Sequence, residues 1–151
     1  MFRNLTPASK TIILQTGTAA GLTDITEASV DTLGFDSVRF ITILGAVTAT
    51  GKLQQKLQHS DDGSTGWADV AGSAGGGALV STTSGRALIL DVHRPQKRYV
   101  RLVNMRSVGA ANVAIAAALA ELYRPDERPV AAQDATIDAT VVLSEPPTGA
   151  P

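Results

Sequence analysis

The feature that most constrains this chain is the rhythm of its apolar runs. Short stretches rich in Val, Ile, Leu and Thr are cut by Gly, Asn, Asp, Ser or Pro at intervals of roughly ten residues, the repeat of a strand and its turn. That spacing predicts an all-β fold, an antiparallel β-sandwich of jelly-roll-like or Ig-like type. Strands are expected at Lys10 to Gln15, Ser37 to Leu44, Lys52 to Ser60, Ala87 to Val92, Tyr99 to Asn104 and Asn112 to Tyr123. Shorter pieces at Ser29 to Thr32, Trp67 to Val70 and Leu79 to Thr82 complete the sheets.

Side-chain alternation says which face of each strand turns inward. Val38, Phe40 and Thr42 share one side; Leu53, Gln55 and Leu57 oppose Gln54, Lys56 and Gln58. Leu88, Leu90 and Val92 fall together, and Val100 and Leu102 oppose Tyr99, Arg101 and Val103. Asn112 to Tyr123 carries two conflicting signals. Its alanines favour a helix, whereas its place after a predicted hairpin favours a strand, and the strand reading is taken. Ala71 to Gly77 (Ala-Gly-Ser-Ala-Gly-Gly-Gly) offers almost no side chain to pack and is read as a loop.

Beyond Tyr123 the character changes. Arg124-Pro125-Asp126-Glu127-Arg128-Pro129 interrupts regular structure, and Ser144 to Pro151 holds three of the seven prolines. The expected organisation is an N-terminal arm over 1–9, a sandwich over 10–125 and an extended C-terminal arm over 126–151. Within that arm Ala135, Ile137, Ala139, Val141 and Leu143 alternate with Thr136, Asp138, Thr140 and Val142, and a disordered tail is the alternative reading. Such a pattern suits an arm that adds a strand to a neighbour's sheet, so these five residues are the expected partner-binding set.

A chain of 151 residues supports one core. Thirteen basic residues against fourteen acidic ones generate no overall field for a polyanion or an anionic membrane. The longest uncharged apolar stretch, Val108 to Ala120, falls short of the ~20 residues that span a bilayer, and no secretory leader is apparent. Neither nucleic acid nor membrane is therefore an expected partner. With no cysteine, disulfides and thiolate metal sites are excluded.

Enzymatic chemistry finds little footing. His59 and His93 lack a third ligand at metal-binding spacing, no Gly-x-Ser-x-Gly elbow exists, and Asp61, Asp62, Asp69 and Asp91 have ordinary turn or strand-end roles. No catalytic, cofactor or metal residue is assigned. The richest loop is Ser60-Asp61-Asp62-Gly63-Ser64-Thr65-Gly66-Trp67, whose short oxygen-bearing side chains can close a turn on its own backbone. Calcium is the alternative there, but EF-hand spacing is absent. The loop is also similar to the Asp-box turn, with Asp62 displaced to directly precede Gly63. Arg86, Arg94, Lys97, Arg98, Arg101 and Arg106 stand against one acid, Asp91, whereas the segment from Asp126 onward holds five acids and one base. Opposite charges on body and arm suit contact between subunits. Asp61, Asp62, Trp67, Arg98 and Arg101 are the expected surface-loop contacts.

Three features carry a family resemblance. Leu57-Gln58-His59-Ser60-Asp61-Asp62-Gly63 leads to Trp67-Ala68-Asp69-Val70. Then comes Arg98-Tyr99-Val100-Arg101-Leu102-Val103, and an Ala-rich strand closes on Leu122-Tyr123-Arg124-Pro125. Over Phe35 to Pro125 this order resembles small β-sandwich proteins that decorate the capsids of tailed bacteriophages and prophages. The resemblance implies a non-enzymatic virion protein on the outer capsid surface, made in the host cytoplasm. Its implied partners are the major capsid protein and copies of itself, as a trimer or another symmetric oligomer. The middle motif is also similar to discoidin-like and other carbohydrate-binding sandwiches. That likeness implies the alternative of a glycan-binding module with Trp67 or Tyr99 stacked on a sugar; a tail, neck or fibre-base component is a third reading.

Overall fold

The computed structural model describes residues 5–73, 80–108 and 112–140. Among these a single turn of 3-10 helix, Thr6–Ala8, precedes eleven strands. In chain order they are β1 (Ser9–Gln15), β2 (Thr18–Gly21), β3 (Ile25–Thr26), β4 (Val30–Asp31), β5 (Phe35–Val47) and β6 (Leu53–Ser60). They continue with β7 (Ala68–Asp69), β8 (Val80–Ser81), β9 (Ala87–His93), β10 (Tyr99–Met105) and β11 (Val113–Pro125). Every strand read from the sequence up to Tyr123 is present. The alanine-rich segment is β11, paired along its length with β5 and flanked on its other side by β1 and β2.

Two antiparallel sheets form the fold. One runs β1-β11-β5-β9, with β2 also on β11; the other runs β3-β10-β6-β7, with β4 also on β10 and β8 on β6. Treating β1 with β2, β3 with β4 and β7 with β8 as interrupted single strands leaves eight. The chain then crosses between sheets at every connection except β6 to β7, which is the jelly-roll arrangement rather than the Ig-like one. β2 and β3 escaped the sequence reading. Thr-Ala-Ala-Gly carries little strand propensity and a lone Ile-Thr pair is too short to show an alternation, and it is the ladders to β11 and β10 that hold them.

The core lies between the sheets as two apolar clusters. Val30, Val38, Phe40, Leu57, Val100, Leu102, Ala120 and Leu122 make the larger; Leu44, Leu53, Leu88, Val113 and Ile115 make the smaller. The inward alternation of β5, β6 and β10 matches the sequence pattern except at Val103, which is buried on the outer side of β10. Between the clusters runs a polar layer. Gln55 Nε2 donates to Thr42 Oγ1 at 2.7 Å and to Asn104 Oδ1 at 2.6 Å, and Asn104 Nδ2 donates to Glu27 Oε1 at 2.9 Å. Gln15 Nε2 donates to the same Glu27 oxygen at 2.6 Å. Desolvation raises the Glu27 carboxyl above its ordinary value, opposed by the bonds from Asn104 and Gln15.

The segment after β11 departs from the expected arm. Val141 and Leu143 lie outside the described residues; Ala135 and Ile137 sit in or beside a turn in which Ile137 N donates to Asp134 O at 2.9 Å, and Ala139 is in no strand. The alternation over 135–140 therefore does not produce a strand in the isolated chain. Instead the segment doubles back on the outer edge of β1. Gln133 Oε1 accepts from Thr11 N at 3.0 Å, Gln133 Nε2 donates to Ser9 O at 2.8 Å, and Thr136 Oγ1 accepts from Ile13 N at 3.0 Å. Val130 N donates to Pro7 O at 3.0 Å and Gln133 Nε2 also reaches Thr6 O at 3.2 Å, tying the segments before β1 and after β11 together. Side chains here satisfy an edge that would otherwise template another strand.

Candidate interaction surfaces

The loop between β6 and β7 is built on Asp62. Its carboxylate accepts from Ser64 N at 2.9 Å, Thr65 N at 2.8 Å, Thr65 Oγ1 at 2.5 Å and Ser60 Oγ at 2.9 Å, holding its pKa well below the usual carboxylate range. Thr65 O lies within reach of the same Ser60 hydroxyl, whose single proton is shared between it and the carboxylate, closing the turn. Both Asp62 oxygens are turned onto the loop's own donors. Among the described residues no group of three or more His, Cys, Asp or Glu side chains is placed to hold a metal ion. Gly63 takes φ +75°, and a Cβ there would lie 2.8 Å from Tyr99 Cδ1, so glycine lets the turn press on the Tyr99 ring.

Around this loop the outer face of the β6–β10 sheet gathers the sequence-predicted contacts. The Arg101 guanidinium lies 4.0 Å from the centroid of the Trp67 ring, and its Nε and Nη2 both donate to Gln58 Oε1, at 2.9 and 2.7 Å. Gln58 Nε2 in turn donates to Asp69 Oδ1 at 2.8 Å, and Lys56 pairs with the same carboxylate. Arg98 stacks 5.1 Å from the Tyr99 centroid while its Nε and Nη2 grip the two Asp31 oxygens at 2.8 and 2.7 Å. That pairing lowers the Asp31 pKa and raises that of Arg98. Lys97 pairs with Asp61 at 3.0 Å. Asp61, Asp62, Trp67, Arg98 and Arg101 are thus brought to one side of the molecule.

Four of the six residues in the basic run are engaged within the chain. Lys97, Arg98 and Arg101 are matched as described, and Arg106 is buried, donating to the backbone carbonyls of Thr23, Ala19 and Val113 at 2.7, 2.7 and 2.9 Å. Both candidate stacking rings, Trp67 and Tyr99, already have a guanidinium against them. A groove of about 600 Å³ lies where the β11 end meets the folded-back segment, lined by Lys10, Leu33, Phe35, Pro125, Glu127 and Val130.

The outer face of the β1-β11-β5-β9 sheet is organised in rows, because residues opposite in antiparallel ladders share a face. One row is polar: Thr11, Glu121, Arg39 and Asp91, with Arg39 paired to Glu121 and Asp91 Oδ1 accepting from the Tyr123 hydroxyl at 2.7 Å. The next is apolar throughout: Ile13, Leu119, Ile41 and Ile89. Beyond it come Ala117, Ile43 and Ala87. Ile13, Ile43 and Ile89 are 36, 39 and 49 % exposed, which is unusual for isoleucines aligned across a sheet. The register was invisible from sequence, where these residues only mark the outward half of each alternation.

Comparison with known proteins adds a fold likeness. No family model matches the chain, and no curated protein does. Among solved structures the chain is similar to PBSX exported protein XepA, with a TM-score of 0.52 and 18 % sequence identity over 96 % of this chain. It spans 46 % of that protein's length, and at this identity the likeness is one of fold.

Proposed function

We propose that this chain is a bacteriophage virion component, a decoration protein that binds the outer surface of the assembled head and stabilises contacts between major capsid subunits. The observation that carries the reading is the common root of the two terminal segments. Residues before β1 and after β11 are bonded to each other and to the β1 edge through Val130, Gln133 and Thr136, so the two segments share one root on the sandwich. Rooted arms suit attachment to a repetitive shell, where modest contacts at many identical sites add through effective concentration. The fold likeness to a PBSX exported protein supports a phage origin. Catalysis has no part in this reading; the work is burial of interface area.

The test is co-sedimentation with purified heads, comparing the full chain with one shortened after Ile137. That cut keeps the Gln133 and Thr136 bonds and hence the capped edge. Weakened head binding with an unchanged β spectrum is expected. Full saturation of heads by the shortened chain sinks the role of the arm, and failure of the full chain to bind any head sinks the decoration reading.

A further inference from the structure

We propose that the outer face of the β1-β11-β5-β9 sheet is a self-association surface, and that its occupant is the same face of a second copy. The proposal deepens the self-association expected of a decoration protein, but its geometry stands without a capsid.

The face is self-complementary. Place a two-fold axis between two such sheets, parallel to the strands and midway between β11 and β5. Each β11 then lies over the partner copy's β5, and each β1 over its β9, with every row kept at its own height. The apolar row meets itself, Leu119 over Ile41 and Ile13 over Ile89. In the next row the small Ala117 receives the larger Ile43, so the surfaces interlock. In the polar row Glu121 falls over Arg39, twice by symmetry; the Arg39 side chain is 39 % exposed and that of Glu121 only 10 %, so the guanidinium is the part of each ion pair that the other copy meets, and the two pairs form a four-charge cluster of alternating sign. A random apolar patch has no reason to match both size and charge under one operator. Aligned sheets pack about 10 Å apart, so the isoleucine side chains fill the gap.

Four strands and three rows give a face on the order of 400 Å² per copy, below the usual size of specific interfaces. Association is therefore expected to be reversible and concentration-dependent.

Sedimentation velocity on the full chain, from low micromolar to several hundred micromolar, reads this out. The wild type is expected to pass from monomer to dimer, and Ile43→Lys and Ile89→Lys to stay monomeric with an unchanged circular dichroism spectrum. Both sites are already solvent-exposed, so the fold tolerates the change. The charge test is sharper: Arg39→Glu and Glu121→Arg should each dimerise at least tenfold more weakly than wild type. Mixed one to one they should recover, because only the mixed dimer pairs opposite charges across the axis while the internal pair stays broken in both copies. A wild type that is monomeric throughout overturns the proposal. Dimerisation indifferent to the isoleucine changes overturns it as well, and a mixture no tighter than its components overturns the stated symmetry. A monomeric wild type whose head binding is lost on Ile89→Lys assigns the face to the shell instead. Dimerisation as described without head binding leaves this surface standing and removes the decoration role.

Discussion

Asn104 Nδ2 donates to Glu27 Oε1 across 2.9 Å in the interior, and Gln15 Nε2 donates to the same oxygen, so one carboxylate oxygen joins both sheets. Glu27 is 6 % exposed, and desolvation lifts its pKa above the ordinary 4.5 despite these two bonds. A carboxyl with a raised folded-state pKa contributes most below its unfolded value and loses that contribution as pH rises through the folded one. Glu27 therefore opposes folding at about pH 7 and ceases to do so on acidification. Glu27→Gln keeps an oxygen for both donors and removes the charge. Its melting temperature is expected above wild type near neutrality, with the gap closing toward pH 4.5. A gap that widens on acidification would contradict this.

The remainder of the polar layer yields a prediction of opposite sign. Gln55 bridges Thr42 and Asn104 from a fully buried position. Gln55→Leu preserves volume but strands the Asn104 oxygen, at a cost of roughly 1–3 kcal/mol. In the double variant with Thr42→Val, the second change should cost less than it does alone, because its partner is already gone. Urea denaturation of the four proteins measures the coupling; strict additivity would show the layer to be three independent residues.

Trp67 is the single tryptophan, which makes its contact with Arg101 directly observable. Arg101→Lys loses the planar stack and the double bond to Gln58, an expected destabilisation of about 1 kcal/mol. Tryptophan emission should shift to longer wavelength as the ring gains water. An unchanged spectrum would mean that the guanidinium does not cover the ring in solution.

How much of this was legible beforehand follows a physical line. Alternation located Val38, Phe40, Leu53, Leu57, Val100 and Leu102 on the inner face, because period-two burial is a local signal. It also placed Thr42 and Gln55 on that face without indicating that they would meet, since their bond depends on two sheets coming together. β2 and β3 were missed because only tertiary pairing makes them strands. The Ser60 to Trp67 turn was readable from its composition, and Asp62 fills the role expected of a turn residue. Ile13, Ile41 and Ile89 are far apart in sequence, so only ladder register unites them. Over Ala135 to Thr140 the single chain folds back through Gln133 and Thr136, and nothing local distinguishes such a segment from a strand awaiting a partner.

That fold-back is itself open to measurement. Thr11 N and Ile13 N face away from β11 on the outer edge of the sheet, where Gln133 Oε1 and Thr136 Oγ1 are their acceptors. Removing one neutral acceptor at a partly exposed edge forfeits about 1 kcal/mol, which corresponds to roughly fivefold faster amide exchange if opening is local. Gln133→Ala should accelerate Thr11 by that factor and leave Ile41, in the central β5, unchanged. Thr136→Val should do the same for Ile13 alone. If both variants leave both amides as protected as in wild type, the edge is covered by something other than these side chains. If either variant also exposes Ile41, the segment holds the sheet together rather than capping it.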